Sequence, residues 1–457
     1  MQSETLIKIG VVMAALALTI NTGSANSPAL DTDILKRGVS LSHWLNYWGR
    51  QPVTSSDMQR LKSAGFDHVR LTVDPVMLGW RPELSSDNLK SQLPMLQKLD
   101  DAIAMAHAEG LTAVIDFHPG EAMKKRIEDD ANTASAFAHF WKILATHYAE
   151  YPENVIVYEV LNEPSYWTFL GPEAWLDLRA RTVSAIREVD TKHLVLVSGS
   201  HGGGIKGLLA DKPLKDDRIA YTVHYYEPML LTHLGAHWEP FKSGIQGKFS
   251  GLRYPASSTS ELKVTDERNR SKVEDAIRNY QAENWGYERI LKDFRAMEAW
   301  GTANNARIIC GEFGILRTLD PGTRSAWLHD VRMAAETTAM GWTVWDYADL
   351  FGIADLVKDY ELASDGTPTP MDREHTDRKI SPDLLLALGL NVDDDGKRIR
   401  SGEVDPGVVE KYSPSNAKEK QSDLDNYCRF DTDCPPTYAC RKKTEFAPTG
   451  GCYKPRQ

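Results

Sequence analysis

Eight short apolar runs, rich in β-branched residues, recur along the chain: Arg37 to Leu41, His68 to Val73, Leu111 to Phe117, Val155 to Leu161, His193 to Ser198, Ile219 to His224, Ala306 to Gly311 and Gly341 to Asp346. Each run is continuous rather than alternating, so each predicts a strand buried on both faces, as in a parallel sheet covered by helices. Amphipathic stretches lie between them. Leu96, Leu99, Ile103 and Ala106 repeat at helical spacing and stop at Gly110, a residue suited to ending a helix. Phe137, Trp141, Leu144 and Tyr148 form a second stripe before Pro152.

Strands alternating with helices eight times predict an α/β fold, a (β/α)8 TIM barrel, over residues 30–391. At 457 residues and 42% hydrophobic content, the chain can bury such a core with a small piece left over. One interval is out of scale. More than 80 residues separate the sixth run from the seventh. Residues 229–284, with Trp238, Phe241, Phe249 and Tyr254, read as a long sixth loop on the face where such barrels gather their chemistry, and loops there shape clefts.

Composition narrows the partners. A net charge of −11 leaves no footprint for nucleic acid, and Lys124-Lys125-Arg126 and Arg441-Lys442-Lys443 read as ordinary solvated surface. At the N-terminus, Lys8 precedes the apolar stretch Ile9 to Ile20 and the small residues Gly23-Ser24-Ala25. This pattern predicts a signal peptide over residues 1–25, since twelve apolar residues fall short of the roughly 20 that span a bilayer. The expected location is secreted or periplasmic, with no membrane span after cleavage.

Cysteine usage points the same way. Cys428, Cys434, Cys440 and Cys452 crowd the C-terminus, whereas Cys310 stands alone in an apolar run and reads as a core residue. An even cluster in an exported chain predicts two disulfides, with three possible connectivities. The gaps of five, five and eleven residues lack the close pairs of a zinc site. Residues 392–424 are polar and turn-rich and read as a linker, which makes residues 425–457 a small Cys-rich module away from the barrel's chemistry.

The ends of the runs carry the functional residues. Asn162-Glu163-Pro164 closes the fourth and Glu312 the seventh; the others offer Arg70, His118, His224 with Tyr226, and Trp345. Composition, order and strand assignment resemble glycoside hydrolase family 5, the large cellulase family, from Arg37 to Leu390. The resemblance implies Glu163 as acid/base, with its pKa held up by a neighbouring negative charge and partial burial. It implies Glu312 as nucleophile, kept charged by Arg70 and Tyr226. Asn162 would bind the sugar 2-hydroxyl, Trp345 would be the sugar's floor, and His118 and His224 would orient either sugar or carboxylates.

Trp44, Trp48, Trp80, Trp167 and Trp238 are further candidates for stacking sugars along a cleft. Such a row suits an extended polymer. The expectation is therefore a secreted, monomeric, retaining endo-β-glycanase acting on β-1,4-glucan, with no cofactor and no catalytic metal. The same residues serve β-mannanases, β-1,3-glucanases and exopolysaccharide hydrolases. A non-catalytic glycan-binding protein would have lost one of the glutamates or the tyrosine, and none is lost.

Overall fold

The computed structural model describes residues 32–45, 54–83, 93, 95–164, 171–236, 238, 240–241, 244–259, 262–354, 360–362, 368–370, 378–390, 439–442 and 450–453. Eight parallel strands close into a barrel in sequence order: β1 (Arg37–Leu45), β2 (His68–Val73), β3 (Thr112–Phe117), β4 (Ile156–Glu159), β5 (Val195–Ser198), β6 (Ile219–Tyr225), β7 (Arg307–Phe313) and β8 (Gly341–Val344). All eight apolar runs are strands. The barrel shuts where Arg37, Gly38 and Val39 of β1 pair with Trp342, Thr343 and Val344 of β8.

Helices α1 (Ser55–Ala64), α2 (Leu96–Ala108), α3 (Ala131–Tyr148), α4 (Pro172–Arg187), α5 (Ile205–Ala210), α6 (Tyr287–Asn304), α7 (Pro321–Thr337) and α8 (Pro382–Ala387) follow the strands in turn. Both predicted stripes are buried faces, on α2 and α3. Gly110 ends α2 with φ +69°, and the Leu111 amide behind it bonds back to Ala106. Thr54 caps α1 in a reciprocal capping box with Asp57. Asp57 is buried and also accepts from Tyr347 and from Arg378, which ties the segment leading into α8 to the barrel wall.

Trp80 departs from its expected place. It is 2% exposed and packs edge-on against Phe117, 5.8 Å between ring centroids, and against Phe140 at 5.5 Å, so it is core and not a sugar platform. Lys124 also departs. It is buried, with its Nζ on Glu121, whereas Lys125 and Arg126 lie at the surface as expected, paired with Asp129 and Glu83.

The long insertion between β6 and β7 is structured. It holds a short helix (Met229–Thr232), a two-residue hairpin pairing Phe249–Ser250 with Lys263–Val264, and a helix over Arg270–Ala282. Phe249 and Tyr254 are buried within it, and the Tyr254 hydroxyl donates to Asp330 of α7. Trp238 and Phe241 take another direction: with His233 and Phe351 they build an aromatic cluster against Tyr226.

The expected signal peptide, the linker over 392–424, Trp48, Trp167, Cys428 and Cys434 lie outside the described residues. Trp44 falls within β1, and Cys440 and Cys452 fall on a small antiparallel pair of strands; only their backbone is described. No helix among the described residues is long and apolar enough to cross a membrane.

Candidate active site

Seven of the eight residues expected from the sequence lie at or just past the C-terminal ends of their strands, and Arg70, third of the six residues of β2, reaches them from inside the barrel. The convergence depends on a register shift between β6 and β7: Val223 pairs with Cys310, but the next residue, His224, pairs with Glu312. Gly311 is the residue skipped. A Cβ there would lie 1.9 Å from the Thr222 hydroxyl, so the strand passes only as glycine and the bulge turns Glu312 toward His224.

Arg70 organises the buried half of the site. Its Nε and one terminal nitrogen donate to the two oxygens of Glu159 at 2.7 and 2.9 Å, and the other terminal nitrogen donates to Glu312 Oε2 at 2.8 Å. Asn162 Oδ1 and Asp116 Oδ2 both lie 3.1 Å from the guanidinium. Three carboxylates therefore share one cation. Neither Glu159 nor Asp116 is among the rim residues expected from sequence, although a charged side chain inside an apolar strand run is itself a signal that a partner waits in the core.

The hydrogen bond that Asp116 accepts from His118 sets the orientation of Asn162 through the imidazole. His118 Nδ1 donates to Asp116 Oδ2 at 2.7 Å, which leaves Nε2 to accept from the Asn162 amide at 3.3 Å. With Oδ1 taken by Arg70, the amide is fixed. His118 stacks on Trp345 at 5.7 Å with an interplanar angle of 13°, and Trp345 is half-buried, its ring also facing the Arg70 guanidinium at 6.0 Å.

The two glutamates sit in unlike surroundings. Glu312 is 5% exposed and receives Arg70 on one oxygen and the Tyr226 hydroxyl, at 2.6 Å, on the other. Burial and the Glu312 charge raise the Tyr226 hydroxyl well above its ordinary value, so it stays a donor. Glu163 keeps 34% of its side chain exposed and, among the described residues, takes one side-chain bond, from His224 Nδ1 at 3.0 Å. Its backbone is left-handed, φ +46°, and the following Pro164 carbonyl is held by the Gly202 amide from the loop after β5.

His224 stands between them, with Nδ1 3.7 Å from Glu312. Burial works to raise the Glu163 carboxyl, but the hydrogen bond and charge of His224, with Lys124 and His118 behind, take it down to about 2. Desolvation opposes a charged His224, and the two glutamates override it and raise that imidazole. The expectation of a raised Glu163 is corrected on this point. It counted the negative neighbour and missed the imidazole placed between the two carboxylates.

One oxygen of Glu163, one of Glu312 and a nitrogen of His224 lie within 4.8 Å of one another. Among the described residues these three are the set that could hold a metal ion. Chemically, the site offers one buried, doubly supported anion facing a solvent-accessible carboxyl that shares a proton with a histidine, beside an indole platform.

The model of the family described as cellulase, glycosyl hydrolase family 5, matches residues 29–350. Endoglucanase 3 of Fibrobacter succinogenes is 28% identical over 333 residues, 70% of this chain, which spans half of that protein's length. Endoglucanase C of Acetivibrio thermocellus is 25% identical over 335 residues, covering 68% of this chain and 91% of its own. The crystal structure of endoglucanase Cel5A from Thermotoga maritima superposes with a TM-score of 0.59 at 25% identity, over 78% of this chain and 98% of that one. A family match across most of the barrel, on a closed eight-stranded fold with both glutamates at the rim, makes this chain a glycoside hydrolase belonging to family 5, the cellulases.

Proposed function

We propose that this protein is a retaining endo-β-glycanase acting on β-1,4-linked glucan, with Glu312 as nucleophile and Glu163 as acid/base. One observation carries the reading: an oxygen of each carboxylate lies within 4.8 Å of the other, on groups supported in opposite ways. Retaining pairs stand about 5–5.5 Å apart, whereas inverting pairs leave roughly 6.5–9.5 Å for a water. Oxygens that near favour the retaining arrangement.

In the first step a Glu312 oxygen bonds to the anomeric carbon as the glycosidic C–O bond breaks, and the leaving oxygen takes a proton from Glu163. Water, deprotonated by Glu163, then cleaves the glycosyl ester from the same side. Glu163 is ionised in the free protein, and the proton it needs sits on His224, one hydrogen bond away. Sugar binding over the exposed edge of Glu163 removes water that favours the anion, and the proton crosses. Arg70 and Tyr226 hold Glu312 as an anion, and the fixed Asn162 amide meets the 2-hydroxyl.

Named relatives support glucan: Endoglucanase C is 25% identical over 91% of its own length. A mannan reading has its own support, since the T. maritima Cel5A barrel has been solved with mannotriose as well as with cellobiose. A panel of soluble β-1,4-glucan, glucomannan and mannan separates the two. Proton NMR on the preferred substrate then reports the stereochemistry; β-anomer appearing first supports the mechanism, and early α-anomer overturns it.

Residues 1–25 we read as an export signal and residues 425–457 as a disulfide-stapled attachment module. Cys440 and Cys452 are register partners on the small antiparallel pair of strands, and the three connectivities stay open. Peptide mapping of the unreduced, exported protein tests both points, and unpaired cysteines or an intact N-terminus refute them.

A further inference from the structure

Glu159 is fully buried and lies outside the reach of any bound sugar, yet it holds the largest share of Arg70: two of the guanidinium's hydrogen bonds, against one for Glu312. A buried carboxylate is costly unless something uses it. Its position on β4, three residues before Asn162, places it across the barrel from Glu312 with the guanidinium between them.

We propose that Glu159 is a positioning residue for the reaction, one that aims Arg70 at Glu312 and withholds enough of its positive charge for Glu312 to attack. The inference rests on Glu312 being the nucleophile.

The aim follows from geometry. A guanidinium is a rigid planar fork, so fixing Nε and one terminal nitrogen on Glu159 fixes the direction of the remaining nitrogen, which points along 2.8 Å to Glu312 Oε2. The charge balance follows from the count of anions. Asp116 from β3, Glu159 from β4 and Glu312 from β7 surround Arg70 from β2; His224 and Tyr226 from β6 face Glu312, His118 faces Asp116, and Glu163 lies beyond His224. With Glu159 neutralised, the same cation falls on two carboxylates instead of three. Glu312 would then be a more stable anion, and so a weaker nucleophile.

Two substitutions in the full-length protein separate aim from charge. Glu159→Gln keeps the volume and one acceptor but removes the charge. It is expected to lower kcat/KM on a soluble cello-oligosaccharide by about 10–100-fold with KM within about two-fold of wild type, and to move the acid limb of the kcat/KM profile to lower pH. Glu159→Asp keeps the charge and shortens the reach. It is expected to lower kcat while leaving the acid limb where it was, and it remains informative if the Gln variant fails to fold. An acid limb unmoved or shifted upward in Glu159→Gln, or a wild-type kcat in Glu159→Asp, overturns the proposal. Glu312→Gln serves as the control: if that variant stays active, the assignment of the nucleophile fails, whereas an inactive Glu312→Gln beside an unaffected Glu159→Gln refutes this inference alone.

Discussion

Glu163 and Glu312 are the same residue at corresponding rim positions of the same barrel, and their surroundings separate them. Glu312 is 5% exposed and gripped by a cation and a hydroxyl from two strands; Glu163 has a third of its side chain in solvent and one neutral-or-charged imidazole for company. An anion that must attack carbon needs fixed direction and a constant charge, while a group that must give and retake a proton needs a partner that titrates near it. Role here is written in the neighbours rather than in the residue.

The strongest way to break it is to remove each carboxylate in turn. Glu163→Gln and Glu312→Gln should each lower kcat on a natural β-glucan by about 10³-fold or more. They should part on a dinitrophenyl β-cellobioside, whose leaving group needs no proton. A rapid burst of dinitrophenol is expected from Glu163→Gln and none from Glu312→Gln; equal behaviour would erase the distinction.

A smaller effect sharpens the support for Glu312. Tyr226→Phe deletes the 2.6 Å hydrogen bond and little else. The hydroxyl fixes the direction of the second Glu312 oxygen, and hydrogen bonds to charged groups are worth about 1.5–3 kcal/mol, so the lost aim should lower kcat/KM by up to about 10–150-fold while the acid limb moves to higher pH, opposite to Glu159→Gln. A wild-type profile would show that the hydroxyl is idle.

The smallest effect belongs to the other side. Glu163 is taken from its ordinary 4.5 down to about 2, so its bond to His224 contributes stability above pH 4.5 that fades as pH falls toward 2. His224 is raised above its ordinary 6.5, so the same bond contributes fully below 6.5 and is lost as pH climbs through the raised value. These are two ends of one interaction. The melting-temperature gap between wild type and His224→Ala should be widest from about pH 4.5 to 6.5 and narrow on both sides; a gap flat with pH would mean that packing alone is lost.

Much of this arrangement was legible in the sequence, because the strands are unbroken apolar runs and the rim residues sit at their ends. Arg70, His118, Asn162, Glu163, His224, Tyr226, Glu312 and Trp345 all meet at one end of the barrel, Glu312 with the help of the bulge at Gly311. What was hidden depends on three dimensions. Asp116 and Glu159 stand inside apolar runs, where a charge demands an ion partner from another strand. The bulge at Gly311 sets which residue faces His224, and nothing in the local sequence announces a register shift. Trp80 turned inward against the Phe117–Phe140 cluster, which is remote from it in sequence.

Azide tells the two glutamates apart by the anomer it yields. With Glu163→Ala and Glu312→Ala on dinitrophenyl β-cellobioside, azide fills whichever face the missing carboxylate vacated. The account predicts β-cellobiosyl azide from Glu163→Ala, formed on the glycosyl-enzyme, and α-cellobiosyl azide from Glu312→Ala, formed by direct displacement. The reverse assignment of anomers would contradict it.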